Sequence, residues 1–381
     1  MPETEQGAGV SLAVLRLTLT DFRSYPTLRL ETDARPVVLT GSNGAGKTNI
    51  LEALSFLSPG RGLRRARLAE VARRDKGPDA PWAVAALIGR GADRIEIGTG
   101  RDPGSERRRV RIDGDEAKGQ QALADVVTTS WLTPAMDRLF LEGASGRRRF
   151  FDRLVFGFDS GHAGRAAAYE HAMRERTRLL KAGGADSAWL DALEATMAAR
   201  GTAVATARRD VADRLDAACR RGIGPFPAAG LAIEGRLESW LAEMEAGAVE
   251  ERFRALLREA RRRDEIAGGA TEGPHRSDLK VRHLPKDMPA ELCSTGEQKA
   301  VLIAIVLAQA RMRQAETGTP PMLLLDEVAA HLDGERRAAL FDELCALDAQ
   351  SWLTGTDAAL FAELGERAQA FQVAEGLLSR A

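Results

Sequence analysis

Gly41-Ser42-Asn43-Gly44-Ala45-Gly46-Lys47-Thr48 satisfies the pattern G-x-x-x-x-G-K-[ST], and it stands between a short apolar run, Val37-Val38-Leu39, and a segment of helical spacing, Asn49 to Leu57. That context separates it from a chance glycine-rich turn. Glycines let backbone N–H groups close around phosphates, and the helix N-terminus adds partial positive charge. Lys47 is placed to reach the β/γ oxygens and Thr48 to ligate Mg²⁺. The nucleotide expected here is ATP, held by Gly41, Ser42, Asn43, Gly44, Ala45, Gly46, Lys47 and Thr48.

Such a loop needs a carboxylate at the end of a neighbouring strand, and Met322-Leu323-Leu324-Leu325-Asp326-Glu327 supplies one. Asp326 would hold Mg²⁺ with Thr48, and Glu327 would polarise an attacking water. A potential base directly beside the metal side argues for a hydrolase over a kinase. Ser294-Thr295-Gly296-Glu297-Gln298 lies 32 residues before Asp326 and directly ahead of an apolar helix from Val301. By itself it reads as a capping box, a Ser with Glu three residues later. The same residues make a second anion site, a Ser hydroxyl and a Gly N–H at a helix N-terminus.

In this order the elements resemble the ATP-binding-cassette ATPases. Ser294 and Gly296 then correspond to the signature, His331-Leu332-Asp333 to the D-loop, and Thr354-Gly355-Thr356-Asp357 to the switch region. The resemblance implies a sandwich of two heads, each nucleotide bound by the P-loop of one chain and the signature of the other. One chain carries one set, so a second copy is required, and His331 would approach the partner's γ-phosphate.

Composition sets the bounds. A chain of 381 residues, 44% hydrophobic and 29% charged, is expected to build two to three domain-sized units. Its longest apolar run, Ala300 to Ala308, is far below the roughly 18 residues of a membrane span. The first ten residues are polar, with Glu3 and Glu5, and read as a frayed tail rather than a signal peptide. Cys219, Cys293 and Cys345 are far apart, which indicates neither a disulfide framework nor zinc and fits a reducing cytoplasm. Net charge is −1, yet Arg supplies 47 of the 54 basic residues. Arg61, Arg64, Arg65, Arg67, Arg73, Arg74 and Lys76 form one cluster, and Arg101, Arg107, Arg108, Arg109 and Arg111 another. They suit a nucleic-acid backbone or a solvated face equally well.

Alternation predicts strands at Leu15–Leu19, Thr27–Leu30, Ala83–Ile88, Arg94–Ile97 and Val110–Ile112. From Ala163 to Arg221 the chain is Ala-, Arg- and Leu-rich and reads as two or more helices broken at Gly183-Gly184; Leu237 to Arg263 reads as another. Interrupted helices without sustained heptads predict a compact arm rather than a long coiled coil. Trp131, Trp189, Trp240 and Trp352 are expected to pack. Taken with the resemblance to the ATP-binding-cassette ATPases, this implies an α/β fold class, an ABC-type P-loop ATPase head similar to SMC heads with an inserted helical arm: residues 1–148 and 269–381 the discontinuous head, 149–268 the arm.

Further stretches narrow the class. Asp21-Phe22-Arg23-Ser24-Tyr25, Pro59-Gly60-Arg61-Gly62-Leu63-Arg64, Arg147-Arg148-Arg149-Phe150-Phe151-Asp152 and Gly273-Pro274-His275-Arg276-Ser277-Asp278-Leu279 resemble the RecF family of bacterial DNA-repair ATPases, related to the SMC heads, over nearly the whole chain. That resemblance implies binding of double-stranded DNA beside single-stranded gaps, ATP-dependent homodimerisation and slow, DNA-dependent hydrolysis. It also implies work with RecR and RecO in RecA loading, recombinational repair, replication recovery and the SOS response. Read alone, Arg147–Arg149 and His275 also have plain structural roles, and a transporter nucleotide-binding subunit would share the phosphate chemistry. The 247-residue separation of Lys47 and Ser294 exceeds what a compact transporter head uses.

Overall fold

Apolar alternation builds the opening hairpin. In the computed structural model, which describes residues 12–77, 79–183 and 187–380, β1 (Leu12–Phe22) and β2 (Tyr25–Glu31) pair antiparallel, Leu17 opposite Leu30 and Leu19 opposite Leu28. The polar opening segment and Gly184 lie outside the described residues, as does the side chain of His331. The hairpin turn is strained: Asp21 (φ 45°) and Arg23 (φ 52°) are left-handed. β3 (Val37–Thr40) leads through the P-loop into α1 (Lys47–Ser55), and a short α2 (Leu68–Val71) follows. Four further strands, β4 (Trp82–Arg90), β5 (Asp93–Arg101), β6 (Arg109–Ile112) and β7 (Asp115–Glu116), complete an antiparallel sheet ordered β2-β1-β4-β5-β6-β7. β8 (Thr129–Leu132) belongs to a second sheet.

The middle of the chain is mostly helical: α3 (Ala144–Phe156), α4 (His162–Ala182) and α5 (Ser187–Cys219). α5 runs 33 residues, about 50 Å at 1.5 Å per residue. It is longer than the interrupted pattern suggested because Gly201 continues the helix, and a Cβ there would press on Phe253 and Tyr169. The predicted helix over Leu237–Arg263 is instead three, α6 (Arg236–Leu241), α7 (Ala246–Glu259) and α8 (Arg261–Ala267). β9 (Ala229–Glu234), β10 (Asp278–His283) and β11 (Met288–Pro289) form a small antiparallel sheet, of which β9 falls in the segment expected to be a helical arm. Leu279, Val281 and His283 of β10 point inward with period two. Tyr169, Met197, Leu237, Val249, Phe253 and Leu257 make this region's core. Trp352 is buried as expected, but Trp189, in the first turn of α5, is 53% exposed.

α9 (Thr295–Thr317) returns the chain to β12 (Met322–Leu325), α10 (Gly334–Ala346), β13 (Ser351–Gly355), β14 (Gln369–Ala374) and β15 (Leu377–Arg380). The second sheet is ordered β15-β14-β3-β13-β12-β8, parallel except at the β15 edge. Its three central strands, β3, β13 and β12, are continuously buried, as parallel strands covered on both faces are. Buried Gln350 serves the backbone of both regions it touches, accepting from Val14 N (2.8 Å) and donating to Val14 O (3.0 Å) and Asp33 O (2.7 Å). That satisfies polar groups at the β1 irregularity between Val14 and Arg16.

Packing divides the chain into two compact units. One holds residues up to Asp137, Gly224–Phe226 and everything from Val306; the other holds Arg138–Ile223 and Pro227–Ile305. Relative to boundaries at 148 and 269, the helical unit also takes in Arg138–Arg148 and residues 269–305, the signature included. No helix among the described residues is long and apolar enough to cross a membrane.

Candidate functional site

The P-loop hangs between β3 and α1, and two of its glycines are required by space and conformation together. A Cβ on Gly41 (φ 151°) would strike the Val373 carbonyl, and one on Gly46 (φ 114°) would come within 2.5 Å of the Tyr25 hydroxyl. Gly46 is the N-cap of α1, and no acidic side chain occupies the first turn, so the helix end is electropositive. Lys47 is buried and donates to the carbonyls of Gly41 (2.7 Å) and Ser42 (3.0 Å).

Parallel register then brings distant residues to the same sheet edge. β12 ends at Leu325, level with Leu353 of β13, so Asp326 meets Thr354. Thr48 donates its hydroxyl to Asp326 Oδ1 and Oδ2 (3.0 and 3.1 Å), and the Thr354 hydroxyl donates to Oδ1 (2.7 Å) while accepting from Glu327 N (2.9 Å). The predicted metal-side pair is therefore in contact. Thr48 and Asp326 are hard oxygen donors of the kind Mg²⁺ takes. Glu327 follows in a left-handed conformation (φ 54°), costly for a residue with a side chain and typical of functional turns. Thr354 was visible as a polar residue, but its role depends on a partner 28 residues away.

A second network beside α1 was missed by sequence reasoning. Glu52 is fully buried, although it lies one turn beyond the P-loop. Arg23 clasps it with Nε at 2.8 Å from Oε2 and Nη2 on Oε1, and Arg64 donates to Oε2 (3.0 Å) and to Asn49 Oδ1 (2.7 Å). Asn49 donates to Ser24 Oγ (2.8 Å), so the strained hairpin turn is tied to the nucleotide-loop helix. The available signal was a carboxylate inside Ile50-Leu51-Glu52-Ala53-Leu54, a helix otherwise apolar there.

In the helical unit, Ser294 precedes α9, and its N–H and hydroxyl both donate to Glu297 Oε2 (3.0 and 2.9 Å). The N–H contact is the Glu half of the capping box in the plain reading; Ser294, Thr295 and Gly296 remain exposed. Asp333 caps α10, accepting from Arg336 N (2.8 Å). Signature and P-loop belong to different packing units.

Two of the four stretches singled out in the sequence, Arg147–Asp152 and Gly273–Leu279, converge within the helical unit. Arg147 forks Asp278 (2.7 and 2.8 Å), Arg148 donates to Ser277 O (2.6 Å), and Asp152 joins Arg208, which donates to Pro274 O (2.5 Å). His275 has a structural role: Nε2 donates to Ala270 O (2.9 Å), so Nδ1 accepts from Tyr169 (2.7 Å), and burial lowers its pKa.

Several members of the Arg clusters have intramolecular partners. Arg109 pairs with Asp102 and Glu116, Arg73 with Asp21 and Asp75, and Arg64 with Glu52. Arg108 is drawn into carbonyls at the end of α1, Phe56, Ser58 and Gly60, and to Gln120, and burial pushes its pKa down to about 9. Arg61, Arg107 and Arg111 are exposed.

The chain matches the RecF/RecN/SMC N terminal domain family across residues 13–377. It is 51% identical over 367 residues to the DNA replication and repair protein RecF of Mesorhizobium japonicum, covering 95% of this chain and 96% of that one. The protein of the same description from Caulobacter vibrioides is 51% identical over 381 residues, covering 97% and 98%. Among solved structures, one described as the recombination mediator protein RecF-ATPrS in the RecFOR pathway superposes with a TM-score of 0.84 at 21% identity, covering 98% and 99%. An Smc head domain from Pyrococcus furiosus superposes at 0.54 with 16% identity, covering 97% and 96%. Fold and site together define an ABC-type P-loop ATPase head of the SMC-like class. Within that class, the chain belongs to the RecF family.

Proposed function

We propose that this chain is an ATP-gated DNA-binding ATPase of recombinational repair and replication recovery. The observation that carries the reading is the Thr48–Asp326–Thr354 constellation beneath a P-loop, in a chain half identical to RecF relatives along nearly all its length. Residues 1–148 and 269–381 act as the nucleotide-handling head and 149–268 as the arm. Residues Gly41 to Thr48 grip ATP, with Lys47 neutralising the β/γ-phosphates. Mg²⁺ would be held by Thr48 and Asp326, and when bound it supplies charge neutralisation on the phosphate oxygens. Glu327 takes the proton of the attacking water. Ser294 and the Gly296 N–H, at the α9 N-terminus, bind the terminal phosphate of a nucleotide in a second copy, with Asp333 in the D-loop beside it.

ATP thereby holds a homodimer, and slow hydrolysis stimulated by DNA releases it. The DNA is duplex beside a single-stranded gap, where mediators of the RecR and RecO type cooperate with the dimer in loading RecA, in the cytoplasm and as part of the SOS response. Solution mass tests this directly: a monomer-to-dimer shift that requires Mg·ATP and is strengthened by a gapped duplex is expected, and a monomer throughout would overturn the sandwich. Lys47→Ala is expected to weaken ATP binding about a hundredfold, the scale of losing charge-assisted hydrogen bonds to phosphate, as read by titration calorimetry. Ser294→Ala is expected to bind ATP as the parent does and to remain monomeric.

A further inference from the structure

The signature carries a carboxylate that phosphate recognition does not ask for. Glu297 lies in the first turn of α9, where the helix end favours one negative charge, and it already holds Ser294 through Oε2. A fixed anion there opposes a second anion arriving at the same helix end. The chain answers with Lys286, whose Nζ pairs with Glu297 Oε1. Lys286 ends a single helical turn, Leu284–Lys286, and donates its N–H to His283 Nδ1 (3.3 Å). The adjacent acid, Asp287, is taken by Arg282 (2.8 Å), which leaves the ammonium to Glu297. Lys286 and the Ser294 donors hold the Glu297 carboxyl down at about 2, so the carboxylate is charged at any working pH.

The choice of cation fits this geometry. Arg outnumbers Lys 47 to seven in this chain, yet Lys stands here. A guanidinium forks both oxygens of a carboxylate, whereas an ammonium takes one. Oε2 holds the Ser294 N–H, a bond that stays in place when the hydroxyl turns to phosphate, and Lys286 occupies Oε1 alone.

We propose that Lys286 is a positioning residue for the signature: by neutralising Glu297 through Oε1, it lets the α9 N-terminus accept the terminal phosphate of a nucleotide held by a second copy of this chain. The proposal rests on the reading of Ser294 as a phosphate site acting across the dimer. An exposed pair adds little to folding, so its loss should leave thermal unfolding and ATP binding by the monomer unchanged.

The test is the ATP-driven dimer dissociation constant, measured by sedimentation with Mg·ATP, for Lys286→Met, Glu297→Gln, the double variant and Ser294→Ala. Lys286→Met is expected to weaken the dimer about tenfold, the scale of one unscreened charge beside a phosphate, and Glu297→Gln in the same chain to restore it. A Lys286→Met dimer as tight as the parent, or a double variant as weak as the single, overturns the proposal. If Ser294→Ala stays monomeric while Lys286→Met dimerises normally, only the role of Lys286 fails. If Ser294→Ala dimerises like the parent, the reading of the signature fails and takes this proposal with it.

Discussion

Glu327→Gln protein is expected to bind ATP as tightly as the parent, to hydrolyse it at least about a hundredfold more slowly, and to accumulate as an ATP-held dimer. The substitution keeps shape and removes the basic oxygen. Glu327 N–H is tied to Thr354 Oγ1 and the backbone is already left-handed, and neither feature depends on the carboxylate. Asp326 keeps both of its threonine donors, Thr48 and Thr354, so the metal side is untouched. Binding and chemistry are thereby separated at one residue. Phosphate release and solution mass on the same preparation decide it. Unchanged turnover would remove Glu327 as the base, and lost ATP binding would show that the carboxylate supports the loop rather than the reaction.

What was legible in the sequence is what neighbouring residues dictate to one another. The P-loop needs glycines at fixed places and a strand and helix on either side, and all of that lies within Val37 to Leu57. Met322–Leu325 announces a buried parallel strand, and Asp326-Glu327 sits where such a strand must end. By contrast Thr354 acquires its role only because β13 lies beside β12 in register, and Glu52 only because Arg23 and Arg64 arrive from two other segments. Spacing along one element does not encode such meetings.

The Arg clusters teach the same lesson in reverse. A run of cations looks alike whether it faces a phosphate backbone or its own carbonyls. Arg108 is spent on the carbonyl groups at the end of α1, and Arg109 on two carboxylates. Likewise Arg147–Arg149 and the Gly273–Leu279 stretch could be singled out separately, yet nothing local says that Arg147 meets Asp278 across 131 residues. β9 escaped notice because Ala229-Gly230-Leu231-Ala232-Ile233-Glu234 lacks a strong β-branched or aromatic signal, and it is a strand because β10 pairs with it.

That convergence makes Asp152→Asn the substitution with the largest expected effect on stability. Asp152 Oδ1 accepts from Arg208 Nε (2.7 Å) and meets His162 Nε2 (2.8 Å), while Oδ2 accepts from Arg208 Nη2 (2.8 Å). Arg208 and His162 are both buried. Burial pushes the Asp152 carboxyl up, but Arg208 and His162 outweigh it and hold it far below the usual carboxylate range. Its folded pKa is depressed, so its contribution is present above the ordinary Asp value near 4 and is lost as pH falls through the depressed one. An amide cannot balance the buried guanidinium. The Asp152 side chain is about a quarter exposed, which moderates the cost of breaking the pair to about 2–3 kcal/mol. For a unit of this size that lowers the midpoint of thermal unfolding by roughly 5–10 °C at neutral pH. The gap between parent and variant should narrow steadily below about pH 4, because the unfolded parent's Asp152 carboxyl takes up a proton there while the folded one is still ionised. Calorimetric scans from pH 7 to pH 3 test both parts. Equal midpoints at neutral pH would reduce the Arg208–Asp152 fork to surface decoration, and a gap that persists undiminished at low pH would assign the loss to packing rather than charge.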